Sequence, residues 1–117
     1  MAVLSRIGAL TTLQNAQAGA ANGTALNVTE AMNVVFEVSG TFTGITANWE
    51  GSVDGGTTWW SIQAMPLATR TFAATGTTTG LYLVSDAQAL TTVRARTTVS
   101  SPTGSMTVRA LGGLVRS

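Results

Sequence analysis

The stretch Ser52-Val53-Asp54-Gly55-Gly56-Thr57-Thr58-Trp59 constrains the fold more than any other part of this chain. An Asp-Gly pair flanked by strand formers is a strong short-range hairpin signal. Asp54 is placed to accept hydrogen bonds from backbone N–H groups two and three residues on, while Gly55 and Gly56 supply positive φ at little steric cost. Ser52, Thr58 and Trp59 complete the pattern, and the Trp59 ring is expected to pack onto the hairpin. A carboxylate engaged in this way belongs to the turn. The motif therefore predicts a β-protein with one firmly set hairpin and no chemistry at Asp54.

The rest of the chain agrees with that class. From residue 24 onward it reads as short strands separated by turn residues. Val34, Phe36 and Val38 alternate with Val35, Glu37 and Ser39. Val93, Ala95, Thr97 and Val99 alternate with Thr92, Arg94, Arg96 and Thr98. Ala47, Trp49 and Val53 share a face before the hairpin, and Met106, Val108 and Ala110 share one near the C-terminus. Further strands are expected over 24–29, 58–64, 69–74 and 80–85, with Pro66 ending one because it cannot donate to a ladder. Seven or eight strands with turn signals every eight to twelve residues predict an antiparallel β-sandwich or jelly roll over 24–117. Val34, Phe36, Val38, Trp49, Trp59, Val93, Ala95, Met106 and Val108 are its expected core.

Residues 1–23 lack an apolar stripe at helical spacing. They are expected to form an arm or an irregular first strand. Arg6 and the following apolar residues weakly suggest a signal peptide, but Thr11, Thr12, Gln14 and Asn15 interrupt the apolar run. Val3, Leu4, Ile7, Leu10 and Leu13 are too apolar for a freely solvated tail, so the arm is expected to lie against a partner.

Composition excludes several functions. The chain has no Cys and no His, so a thiolate zinc site, a cysteine nucleophile and the commonest general base are all missing. No run approaches the ~18 apolar residues of a membrane span. Net charge is +1, which sets up no field toward nucleic acid or an acidic membrane surface. Charged residues make up only 9% of the chain, against roughly a quarter in typical proteins. So little surface charge suits a protein covered by other subunits.

The candidate site residues weigh toward contact rather than catalysis. Among the acids, Glu30, Glu37, Glu50, Asp54 and Asp86, only Glu50 and Asp54 are close in sequence, and the turn claims Asp54. A glycosidase pair is therefore not expected. Trp59 and Trp60 are neighbours on a strand and must point to opposite faces. Trp59 is expected inward and Trp60 outward, as an interface anchor, an intramolecular cover or a sugar platform. Arg94 and Arg96 share an outward face and are expected either to pair with Glu37 or Glu50, or to form a partner patch with Arg109.

Ser-x-Asp-x-Gly-x-Thr-Trp resembles the Asp-box of sialidases and many unrelated β-proteins, where it is structural. Val35-Phe36-Glu37-Val38-Ser39-Gly40-Thr41-Phe42, then Trp49-Glu50-Gly51-Ser52-Val53-Asp54-Gly55-Gly56, then Val93-Arg94-Ala95-Arg96 resemble small β-sandwich virion proteins of tailed bacteriophages. That resemblance implies a capsid decoration (cement) protein first and a tail, neck or baseplate protein second. It implies the major capsid protein and further copies of the chain, a trimer, as partners. It also implies a place on the capsid surface after assembly in the host cytoplasm. No enzyme activity, cofactor, nucleic acid, membrane or small-molecule substrate is expected. A carbohydrate-binding module using Trp60, Tyr82 or Trp49, and a small hydrolase, are the competing readings.

Overall fold

The computed structural model describes residues 6–85 and 87–113, all in strands and connecting segments with no helix among them. Ten strands form: β1 Arg6–Gln17, β2 Leu26–Asn27, β3 Asn33–Ser39, β4 Phe42–Ser52, β5 Trp60–Ser61, β6 Met65–Pro66, β7 Thr75–Gly76, β8 Gly80–Val84, β9 Thr92–Gly104 and β10 Met106–Gly113. One five-stranded sheet runs β1-β10-β3-β8-β6. The other runs β2-β9-β4-β5, with β7 also paired to β4. Neighbouring strands in both sheets are antiparallel. The class is the expected one, with ten strands in place of seven or eight.

The two sheets bury the faces that alternation marks. Val34, Phe36 and Val38 of β3 and Met106, Val108 and Ala110 of β10 meet Ile45, Ala47 and Trp49 of β4 and Val93 and Ala95 of β9, all buried. Phe36 stacks on Trp49 with ring centroids 4.6 Å apart, and Tyr82 closes the far side at 5.0 Å. Every expected core residue is buried except Trp59, which is half-buried. Val53 and Val99, expected to share inward faces, are exposed because each lies where its strand leaves the sandwich.

Two corners carry the chain between sheets, β3 to β4 and β9 to β10, and they pack back to back. Gly40 (φ 109) and Gly104 (φ 72) sit there in the left-handed region. A Cβ on Gly40 would lie 2.5 Å from the Ser105 carbonyl oxygen, and one on Gly104 would lie 2.0 Å from that of Thr41. Only glycine permits this approach. Residues 100–104, rich in turn formers, are the end of β9 and remain paired with β4 through Phe42↔Gly104 and Thr43↔Thr103. The strand expected over 69–74 is not formed; Ala73 makes a single bridge to Ala64.

The largest correction concerns the N-terminus. Val3 and Leu4 lie outside the described residues, but Arg6–Gln17 is a strand of the protein's own sheet, paired along β10 from Arg6↔Gly113 to Gln17↔Met106. Of the two expected forms, an arm or an irregular first strand, Arg6–Gln17 takes the irregular strand. Register shifts between Ile7 and Thr11, Thr12 and Gln14, and Gln14 and Gln17 hide its alternation. One shift leaves both Leu13 and Gln14 buried. Gln14 Nε2 then donates to the Ala95 carbonyl at 2.8 Å and to that of Ala21 at 3.1 Å, tying β1 to the opposite sheet.

Candidate interaction surfaces

The hairpin residues form a dense hydrogen-bond set. Ser52, fully buried, donates from Oγ to Asp54 Oδ1 at 2.6 Å and accepts from Gly56 N at 2.9 Å. Asp54 Oδ1 also accepts from Thr57 N at 3.1 Å and Thr58 N at 2.9 Å. The amides served by the carboxylate are thus three and four residues on, not two and three, because the Ser52 hydroxyl takes the nearer one. Gly55 (φ 76) and Gly56 (φ 97) provide the positive φ. The Ser52 hydroxyl, then the Thr58 and Thr57 amides, lower the Asp54 pKa to about 2. Such a carboxylate is a turn acceptor rather than a proton shuttle.

Trp59 lies on the outer face of the second sheet, not in the core. Its ring lies 3.3 Å from where a Cβ on Gly56 would stand, so it packs on the hairpin as expected. Its other neighbour is Arg94, whose Cζ sits 4.3 Å from the ring centroid. Trp60 pairs with Gly51, on the inward parity of Trp49, yet is 65% exposed because β5 is a two-residue edge strand beyond the core. The expected parity of the two tryptophans is reversed, and neither ring enters the core.

Arg94 and Arg96 both bind Glu50, Arg94 Nε to Oε1 at 2.7 Å and Arg96 Nε to Oε2 at 3.0 Å. Burial raises the Glu50 pKa, but the hydrogen bonds and charges of the two guanidinium groups outweigh it and hold the carboxyl below 4.5. Asn48 Nδ2 extends the same face, donating to the Arg96 carbonyl at 2.8 Å. Arg109 does not join this group. It stands on β10 in the other sheet and pairs with Glu37 at 2.6 Å. A single patch of three arginines is therefore not formed.

Outward from the first sheet, sequence reasoning missed a continuous apolar row. Leu111, Val35, Leu83 and Met65 are direct cross-strand neighbours on β10, β3, β8 and β6. Leu81 and Leu67, 45% and 36% exposed, adjoin it. Strand order assembles this row, so no local pattern could have signalled it. Of the expected contact residues near the N-terminus, Leu10 is 44% exposed and Leu13 is core. Ile7 pairs with Gly112, and its side chain is outside the described residues.

A cleft of about 420 Å³ opens between the sheets, lined by Ile62, Gln63, Phe72, Val84, Ser85 and Leu90. No carboxylate or arginine is among these described lining residues. Asp86 lies outside the described residues, and Glu37, Glu50 and Asp54 are each held by the partners above.

No protein-family model matches this chain, and neither does any curated protein. Two solved structures share its fold. The SPBc2 prophage-derived protein YomS superposes with a TM-score of 0.80 at 16% identity, over 91% of this chain and 92% of that one. The PBSX exported protein XepA superposes with a TM-score of 0.83 at 18% identity, over 96% of this chain but only 39% of that one. At these identities the likeness establishes a common β-sandwich fold.

Proposed function

We propose that this chain is a structural protein of a tailed-phage virion, of the capsid decoration type, acting through protein–protein contacts with the shell and with other copies of itself. The observation that carries this reading is the fold shared with YomS, a prophage-derived protein, across nearly the whole of both chains. The side chains support it. Glu50, Glu37 and Asp54 are engaged in ion pairs or a turn, which leaves them poorly suited to acid–base work. Low charge and an outward apolar row suit a surface that assembly covers.

The test compares negatively stained phage shells assembled with and without the protein. Added protein should co-sediment with bare shells and appear as regular surface density. Protein found only at the tail, or absent from particles, would overturn the placement.

A second reading has its own support. XepA is named as an exported protein, and Trp60 offers an indole 65% exposed. A tail, baseplate or released carbohydrate-binding module would use that ring as a stacking platform. Selective retention on a glycan array, lost in Trp60→Ala, would favour it over the cement role.

A further inference from the structure

We propose that the outward face of the first sheet is a two-fold interface with a second copy of this chain. The inference does not depend on the virion placement. It rests on how charge and apolar side chains are ordered across the four strands β10, β3, β8 and β6. One row reads Leu111, Val35, Leu83 and Met65 along the order β10-β3-β8-β6. The next row contains Arg109, Glu37 and Leu81, with Arg109 and Glu37 side by side and both partly exposed.

This order is complementary to itself. A two-fold axis parallel to the strands, between β10 and β3, sets β10 of one copy over β3 of the other and β1 over β8. Arg109 then meets the other copy's Glu37, and Glu37 meets its Arg109, in a neutral square of four charges. Leu111 falls opposite Val35. Each residue of one copy contacts its counterpart set in the other, as an isologous interface requires. A partner of a single charge sign would gain from one half of the ion pair and lose from the other. The chain's own surface gains from both.

Sedimentation equilibrium of the full chain tests this. The wild type should be a dimer at high micromolar concentration. Leu83→Glu should raise the dimer dissociation constant by at least about tenfold, since truncated or charged anchors in a desolvated patch dominate binding. Arg109→Glu should weaken the dimer similarly, and the exchange Glu37→Arg with Arg109→Glu should restore it. Far-UV circular dichroism and a cooperative melt verify that each variant is folded. The restored double variant keeps the test decisive if a single variant is unstable. A monomeric wild type, a trimer, or a dimer indifferent to these changes would overturn the proposal. So would a monomer that loses shell binding on Leu83→Glu, since the face would then belong to another protein.

Discussion

The outer faces of the two sheets are built from the same alternation and end in opposite states. On the second sheet, Glu50 is shared by Arg94 and Arg96, Arg94 is covered by Trp59, and Asn48 ties the neighbouring backbone. That face is closed on itself. On the first sheet, the single Arg109–Glu37 pair lies beside a half-buried outward apolar row, with Leu81 exposed next to it. The lesson is that a charged residue in an outward position does not by itself mark a binding surface. Here the more charged face is the more self-sufficient one, and the face with the apolar row carries a single, more exposed ion pair.

The sharpest way to break the comparison is to remove Glu50, whose side chain is only 13% exposed. Glu50→Ala leaves two guanidinium groups without their acceptor and should cost about 2 kcal/mol by urea unfolding. A loss no greater than that of Glu37→Ala would mean the two faces are energetically alike. Next comes Trp59→Ala, expected to cost about 1 kcal/mol through the lost contact with Arg94. A shift in Tm with no accompanying loss of Arg94 order would point instead to the hairpin as the ring's main support.

Acid provides a further lever on the same sheet. The folded pKa values of Asp54 and Glu50 lie below 3.8 and 4.5, their ordinary values. Groups depressed in this way stabilise the fold above the ordinary values, and the contribution fades as pH falls through the folded ones. Tm should therefore drop between about pH 5 and the Asp54 value of about 2. Asp54→Asn should lower Tm at neutral pH and flatten that slope; an unchanged slope would remove Asp54 from the account.

The smallest effects should come from the exposed groups. Glu37→Ala should cost about 0.5 kcal/mol, since Arg109 is 42% exposed and solvent screens the pair. Trp60→Ala should change stability by no more than about 0.5 kcal/mol. A larger loss would show that the ring covers the sandwich end rather than facing a partner.

Much of the fold was legible because its central strands keep strict period two. The alternation of Val34, Phe36 and Val38 lies within the strand Asn33–Ser39, and that inward triad is buried. The Ser52–Asp54 turn was legible because its bonds are local. Legibility failed where the period breaks. In β1, register shifts bury the consecutive residues Leu13 and Gln14, so the strand looks like an arm.

The sequence by itself determined the all-β class, the hairpin, the parity of β3, β9 and β10, and the pairing of arginines with Glu50 or Glu37 as an available outcome. Tertiary structure decided which sheet each strand joins. That choice separates Arg109 on β10 from Arg94 and Arg96 on β9, although only twelve residues lie between Arg96 and Arg109. It also decided the faces of Trp59 and Trp60, and it assembled the row Leu111, Val35, Leu83 and Met65 from four distant segments. The physical reason is common to all three. Alternation tells a side chain which of two directions to take, while its neighbours are chosen by strand order and register, which depend on burial summed over the whole sandwich.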